Sequence, residues 1–181
     1  SGSTNVLKNM NRGHTIDEYL LKIKKLKSFK PSIKFSSDFI IGYPGETKED
    51  FEMTLLLLKK VDFINSYSFI YSPRPGTPAA TLEEVDEIEA KKRLKVFQTL
   101  AEQKKKEFRK NLLNSTVKVL FENKVKKGDK FFGRDEYNNS VIVESKNDLT
   151  GSLRKVHINK FNQNTLFGEI VSNFKQGKHA A

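Results

Sequence analysis

The chain has 181 residues, with 33 Lys and Arg against 22 Asp and Glu, and therefore a formal net charge of +11. This length suits one large domain or two small ones. The excess of positive charge favours a polyanionic partner, with nucleic acid as the first candidate, although a Lys-rich surface that only keeps a protein soluble explains it equally well. The sequence contains no cysteine, which excludes disulfides, zinc–thiolate sites and thiolate-ligated iron–sulfur clusters within it.

No apolar run approaches the ~20 residues of a membrane span, and the first residues lack the apolar core of a signal peptide. We therefore expect a cytoplasmic protein without membrane contact.

The first part of the sequence alternates helix and strand signals. Two segments, Thr15–Glu18 and Thr47–Asp50, have the capping-box pattern that starts a helix. Each helix is followed by an apolar run of strand length, and this order predicts a parallel α/β layer. In chain order, the predicted elements are a helix from Thr15 that stops before Pro31, a strand over 33–41, a helix from Thr47, a strand over about 66–71, and a long helix over about 83–113.

The sequence pattern changes at Asn114, after which short apolar runs alternate with turn-like segments. Five short strands in fewer than sixty residues predict a small β-barrel or sandwich. We therefore expect a domain over 1–113, a second over 114–172, and a tail over 173–181. The predicted strands of the second domain are 117–121, 131–134, 140–144, 154–158 and 166–171.

Two turns with chemistry-bearing residues follow the two predicted parallel strands. The first is GYPGE, from Gly42 to Glu46, and the second is SPRPGTP, from Ser72 to Pro78. Ligands of parallel α/β sheets bind beyond the carboxyl ends of the strands, so both turns would face one site. A Pro-Gly turn that feeds a capping threonine also has a purely structural explanation, and each turn taken alone is a weak signal.

Longer motifs carry a family resemblance. SSDFIIGYPGETKEDF and SFIYSPRPGTPAA resemble the later strands of the radical S-adenosylmethionine methylthiotransferases, and SGSTNVLKNMNRGHTIDEY resembles their segment after the fourth barrel strand. GRDEYNNSVIVES and LFGEIV resemble the TRAM domain of the same family. The resemblance covers about residues 1–171. It implies the C-terminal portion of an open (βα)6-type radical SAM barrel, followed by a small all-β, OB-like TRAM barrel.

Within the family, the motifs are most similar to the members that act on tRNA. Relatives with other substrates tend to carry an acidic or different residue where Arg74 and Pro75 stand. The resemblance implies transfer of a methylthio group to C2 of isopentenyladenosine next to the anticodon. It also implies S-adenosylmethionine and two [4Fe-4S] clusters as cofactors, and the tRNA anticodon stem-loop as partner.

The family holds its clusters with cysteines that would precede Ser1, and this sequence has none. We therefore expect no catalytic residue and no metal ligand in this chain, which alone would be inactive, and we expect a monomer. The positions that match the family's cofactor-binding segments are Ser3, Arg12, Gly42, Gly45, Glu46, Ser72 and Arg74.

The second domain carries the charge signal for RNA, with twelve Lys and Arg against seven acidic residues over 114–181. Basic groups among aromatic residues on a small barrel suit RNA, because cations neutralise phosphates and aromatic rings stack on bases. The predicted RNA-binding residues are Arg134, Lys155 and Tyr137, although at least half of the aromatic residues of so small a barrel are expected in its core.

Two alternatives remain open at this stage. One is a non-catalytic RNA-binding protein that carries a TRAM-like barrel on a residual α/β support. The other is part of the family member that modifies a ribosomal protein, which would need no contact with an anticodon loop.

Overall fold

The structure is a computed structural model that describes residues 1–126 and 128–171. The chain divides into two compact units, residues 1–105 and 106–181. The predicted domain limits stay predictions, and the predicted tail over 173–181 lies outside the described residues. The elements are α1 Thr4–Asn9, α2 Ile16–Phe29, β1 Phe35–Ile41, α3 Lys48–Lys60, β2 Phe63–Ile70, a 3₁₀ helix Pro78–Thr81, α4 Glu87–Asn111, β3 Thr116–Lys124, β4 Lys130–Asp135, β5 Ser140–Glu144, β6 Leu153–Phe161 and β7 Thr165–Ile170.

Both predicted helix starts in the first unit are confirmed. The hydroxyl of Thr15 accepts from the amide of Glu18, whose carboxylate accepts from the amide of Thr15 in return. Thr47 and Asp50 form the same reciprocal pair at the start of α3, with both bonds at 3.1 Å. These bonds satisfy first-turn amides that have no partner inside a helix.

The sheet of the first unit consists of β1 and β2, which pair in parallel as predicted. Ile41 lies opposite Ile70 at the end of this ladder. Phe39 is 2% exposed, and its ring lies 4.7 Å from that of Phe97 in α4. The helix-facing side of the sheet is therefore packed in a core of apolar side chains contributed by Ile23, Phe39, Ile41, Phe51, Leu57, Leu58, Val61, Phe63 and Phe97.

The second unit contains a closed five-stranded barrel in the order β3-β4-β5-β7-β6, which confirms the predicted small β-barrel. Buried and exposed residues alternate along β3, as expected for a strand with one face on a core. Gly133 permits a close approach of β4 to β3, because a Cβ there would lie 2.4 Å from the carbonyl oxygen of Leu120. The buried core residues are Val117, Val119, Phe121, Phe131, Val141, Val143, Leu149, Val156, Ile158 and Leu166.

The structure differs from the sequence predictions at two helices. The long helix begins at Glu87 rather than at about 83, because the carboxylate of Asp86 accepts from the amide of Glu89 and caps the helix there. Residues 83–86 have no regular secondary structure, and the short 3₁₀ helix Pro78–Thr81 precedes them. The six-residue α1 was not predicted, since so short a segment carries little periodicity. Among the described residues, no helix is both long and apolar enough to cross a membrane.

Candidate functional site

The two predicted turns leave the sheet at the same edge. The amide of Tyr71 donates to the carbonyl of Ile41 at 2.9 Å, which extends the parallel ladder to the last residues before both turns. Gly42 and Gly45 have φ of 71° and 78°, a conformation that favours glycine. The expectation that both turns share one end of the sheet is confirmed.

A cavity of about 800 Å³ lies at this edge. It brings together three of the predicted cofactor-binding residues, Arg12, Ser72 and Arg74. Two guanidinium groups therefore line a space whose other walls are largely apolar or aromatic. These walls include Met10, Ile40, Tyr43, Phe69, Ile70, Tyr71, Pro78 and Ala79.

Two tyrosines, one from each strand end, meet at the cavity wall. The rings of Tyr43 and Tyr71 contact edge to face, with centroids 5.2 Å apart. The hydroxyl of Tyr43 donates to the carbonyl of Asn9 at 2.8 Å. The hydroxyl of Tyr71 is buried and has no hydrogen-bond partner among the described residues.

Glu46 lies behind the first turn, where it is 4% exposed and does not line the cavity. Its carboxylate accepts from the amide of Gly42 at 3.1 Å and from the guanidinium of Arg93 at 3.0 Å. Arg93, itself 8% exposed, also donates to the backbone carbonyl of Glu46 at 2.9 Å. Glu46 and Arg93 thus hold the turn in shape from inside the protein.

Burial raises the pKa of Glu46, although the hydrogen bonds from Arg93 and Gly42 act in the opposite direction. The sequence analysis did not identify Arg93 as a site residue. Its position four residues after Glu89 on the same helix indicates only a local ion pair with Glu89. Nothing in the local pattern indicates its second partner, 47 residues away.

Ser3 is also a buried group rather than a cavity residue. It caps α1, its hydroxyl donates to the carboxylate of Asp50, and it is 1% exposed. Burial alone would raise the pKa of Asp50, but hydrogen bonds from Ser3 and Thr47 lower it below its ordinary value. Of the predicted cofactor-binding residues, Arg12, Ser72 and Arg74 therefore line the cavity, and Ser3, Gly42 and Glu46 are buried behind the first turn. Gly45 is exposed on that turn and lines no part of the cavity.

On the barrel, Arg134 and Lys155 lie on one outer face, on opposite sides of β3. Lys155 pairs directly with Lys118, and Leu120 pairs with both Leu153 and Arg134. Leu120 and Leu153 are about half exposed on this face. The face therefore combines three cations with exposed apolar side chains.

Arg134 has partners within the barrel. Its guanidinium lies 5.4 Å from the ring centroid of Phe132, and its Nε is 3.2 Å from the carboxylate of Glu122. Both members of this ion pair are about 42% exposed, so water screens their attraction.

Tyr137 lies elsewhere, in the turn after β4, where its ring packs edge to face on Phe108 at 5.3 Å. The carboxylate of Asp135 shapes this turn by accepting from the amides of Tyr137 and Asn139. A buried arginine, Arg109, donates to the side chain of Asn139 and to the carbonyl of Gln163. The structure does not bring Tyr137 to the face that carries Arg134 and Lys155.

The two ends of the chain match two family models. Residues 1–58 match the Radical SAM superfamily, and residues 110–171 match the TRAM domain. The first part of the chain is therefore similar to a radical SAM segment and the last part to a TRAM domain, the two similarities that the motifs predict. The basic barrel face lies within the second match. The cavity is lined partly by residues of the first match and partly by residues between 69 and 79, which follow it.

The chain is also similar to curated proteins over nearly its whole length. It is 51% identical to a tRNA-2-methylthio-N(6)-dimethylallyladenosine synthase of Pelagibacter ubique over 97% of this chain and 40% of that protein. Synthases of the same name from Buchnera aphidicola and Pseudoalteromonas atlantica are 45% and 44% identical, over 93% and 94% of this chain and 38% and 36% of theirs.

The chain thus spans about two fifths of the length of these relatives. The predicted resemblance to the C-terminal part of a radical SAM tRNA methylthiotransferase is confirmed.

Proposed function

We propose that this chain forms the C-terminal part of a tRNA-2-methylthio-N(6)-dimethylallyladenosine synthase. Such an enzyme adds a methylthio group to C2 of dimethylallyladenosine, also called isopentenyladenosine, next to the anticodon. The observation that carries the proposal is the 51% identity to a synthase of that name across 97% of the chain. In the proposed enzyme, β1 and β2 are late strands of an open (βα)6-type barrel, and the protein acts as a cytoplasmic monomer.

The residues around the cavity fit S-adenosylmethionine. The volume of about 800 Å³ lies within the range of ~300–1,000 Å³ of small-molecule sites. Arg12 and Arg74 line this cavity, and either guanidinium can hold a carboxylate through two parallel hydrogen bonds. When bound, the cofactor supplies the methyl group and the radical chemistry of this enzyme class. The residues of this chain bind and orient the cofactor, and the apolar walls of the cavity exclude water from around it.

The residues present do not fit an iron–sulfur cluster. The sequence has no cysteine, and no group of three His, Cys, Asp or Glu residues in the described part of the chain could hold a metal ion. The cluster ligands of the proposed enzyme therefore come from outside this sequence. We expect this chain alone to be inactive.

The TRAM barrel is the proposed tRNA-binding part, and the anticodon stem-loop is the proposed target. Lys118, Lys155 and Arg134 provide cations for RNA phosphates on one face, and each phosphate neutralised adds salt-dependent affinity. Tyr137, which is half-buried and packs on Phe108, remains a proposed RNA contact.

The relatives do not favour the two alternatives, because the synthases from all three organisms carry the name of a tRNA-modifying enzyme. The test is to express the complete protein that carries this chain in a bacterial strain without its own synthase. Mass spectrometry of digested tRNA should then detect the 2-methylthio derivative of dimethylallyladenosine. Unmodified tRNA would contradict the proposal. A methylthio group on a ribosomal protein would favour the protein-modifying relative instead.

A further inference from the structure

Arg109, near the end of α4, is one of the two arginines that are buried among the described residues. It belongs to the second unit of the chain and is 5% exposed. Burying a cation costs free energy unless hydrogen bonds replace the water that it loses. The groups that accept hydrogen bonds from Arg109 therefore indicate what this residue does.

Two hydrogen bonds of Arg109 reach two different turns of the barrel. Its Nε donates to the side-chain oxygen of Asn139 at 3.4 Å, in the turn between β4 and β5. Its Nη1 donates to the carbonyl oxygen of Gln163, in the turn between β6 and β7. The two turns are neighbours, because Ser140 pairs with Thr165 where the parallel strands β5 and β7 begin. Arg109 thus joins these turns from their buried side.

The turn between β4 and β5 connects this buried contact to the surface. The carboxylate of Asp135, which is 6% exposed, accepts from the backbone and side-chain amides of Asn139 at 2.8 and 2.9 Å and from the amide of Tyr137 at 2.9 Å. Within this turn, Asn138 is exposed and has a φ of 62°. Its side-chain oxygen accepts from the guanidinium of Arg134 at 3.3 Å. The buried network therefore fixes a group that contacts a proposed RNA-binding residue.

Arg134 needs this support because it lies on the barrel surface. Both members of its ion pair with Glu122 are about 42% exposed, so water screens their attraction. A guanidinium binds phosphate through a planar fork of donors, which must be oriented toward the phosphate oxygens. The hydrogen bond to Asn138 gives this fork a second point of contact on the opposite side from Glu122 along the chain.

We propose that Arg109 is a positioning residue for RNA binding by the barrel, and that it acts on Arg134 through the turn between β4 and β5. The inference rests on the proposed function, which supplies the anticodon stem-loop as the RNA. Arg109 is buried and does not itself contact the RNA. Its substitution should therefore remove the contribution that Arg134 makes to binding.

The test is a double-mutant cycle in the complete protein that carries this chain. The variants are Arg109→Lys, Arg134→Ala and the protein with both changes. Arg109→Lys keeps the positive charge, but one ammonium group does not reproduce a fork whose nitrogens donate to two separate acceptors. Binding of an anticodon stem-loop RNA is measured by fluorescence anisotropy at several salt concentrations, and thermal unfolding is measured without RNA. The control is Lys110→Ala, which removes a charge from the exposed neighbour of Arg109 on the same helix.

Arg109→Lys and Arg134→Ala should each weaken binding by about tenfold, the effect of losing one hydrogen bond to a charged group. Arg109→Lys should also reduce the slope of log K against log salt by about 1, although the net charge is unchanged. The double variant should bind about as weakly as Arg134→Ala alone. If the role of Arg109 were only structural, the two losses would multiply to about 100-fold. Lys110→Ala should weaken binding less than Arg109→Lys does.

A second variant tests the same connection at the surface, in case Arg109→Lys does not fold. Asn138→Gly removes the oxygen that accepts from Arg134, and glycine adopts a φ of 62° readily. In the same cycle, Asn138→Gly combined with Arg134→Ala should bind about as weakly as Arg134→Ala alone.

Three results would overturn the inference. If the wild type binds the stem-loop and a folded Arg109→Lys binds it equally well, Arg109 has no part in RNA binding, while the proposed function stands. If the losses of the single variants multiply in the double variants, Arg109 stabilises the barrel without positioning Arg134. If the wild type does not bind the stem-loop, the proposed RNA-binding role of the barrel fails together with the inference.

Discussion

The two units of the chain differ in how they complete their sheets. In the barrel each of the five strands has two neighbours, so its backbone ladder closes on itself. In the α/β unit, β1 and β2 pair only with each other among the described strands. The candidate binding groups of the two units also differ in location. Those of the barrel lie on its outer face, whereas those of the α/β unit surround a cavity at the strand ends.

The difference affects what substitutions in each unit will do. On the barrel face, Arg134 and Lys155 project from a frame held by core packing behind them. At the strand ends, the first turn is held by the buried pair Glu46 and Arg93. We expect substitutions on the barrel face to affect binding alone, and substitutions of Glu46 or Arg93 behind the first turn to affect stability as well.

The largest expected effect tests the barrel frame. Phe121 is fully buried in the barrel core, and Phe121→Ala should lower the free energy of unfolding of this unit by about 3–5 kcal/mol, because it leaves a cavity. Leu120→Ala, one residue away on the outer face, should cost about 1 kcal/mol or less. Urea denaturation followed by hydrogen exchange checks both values. Equal losses for the two variants would mean that the alternation along β3 does not define the core.

The second prediction concerns the buried ion pair of the α/β unit. Arg93→Met should lower the free energy of unfolding by about 3 kcal/mol, because it leaves the carboxylate of Glu46 buried without its main partner. Adding Glu46→Gln should recover part of this loss by removing the charge. Urea denaturation of the three proteins checks both statements. A double variant less stable than Arg93→Met would show that Glu46 is stabilised by groups other than Arg93.

The third prediction concerns RNA binding by the barrel face. Arg134→Ala should weaken binding of an anticodon stem-loop and reduce the slope of log K against log salt by about 1, the effect of one phosphate contact. Glu122→Gln should strengthen binding slightly, because Glu122 competes for the same guanidinium. Lys130→Ala is the control, since this cation pairs with Glu144 at the other end of β4. Equal effects of the Arg134 and Lys130 variants would show attraction by net charge rather than a defined face.

Local signals account for what the sequence could predict. The capping boxes at Thr15 and Thr47 need only four consecutive residues each, and the barrel strands follow from short alternating runs between turns. The shared end of the two strands follows from their parallel order. These signals predicted the frame of both units and the shared end of the two turns, whereas Arg12 was named from the family resemblance alone.

Long-range pairings account for what the sequence could not predict. The contact between Arg93 and Glu46 joins residues 47 positions apart, and it decides that Glu46 supports the turn from behind. The unsatisfied hydroxyl of Tyr71 is visible only once the neighbouring groups have taken their partners. Tyr137 was predicted as an RNA-binding residue, but its contact with Phe108 depends on the packing of α4 against the turn after β4.

The smallest expected effect is the pH dependence of the α/β unit. Burial raises the pKa of Glu46 above its ordinary value of 4.5. At a pH between the ordinary pKa of the unfolded chain and the raised pKa of the folded protein, Glu46 is ionised in the unfolded chain but still protonated in the folded protein. Raising the pH through this window therefore favours the unfolded state, and the stability that Glu46 contributes is fully present only below it.

Glu46→Gln removes this titration and keeps an oxygen that can accept from Gly42. The free energy of unfolding of the wild type, relative to that of Glu46→Gln, should therefore fall as the pH rises from 4 through the raised pKa. Asp135→Asn is the corresponding variant in the barrel, where burial likewise raises the pKa of Asp135. The free energy of unfolding of the wild type, relative to that of Glu46→Gln, could instead stay constant or increase as the pH rises. Either result would mean that Arg93 compensates fully for the burial of the carboxylate.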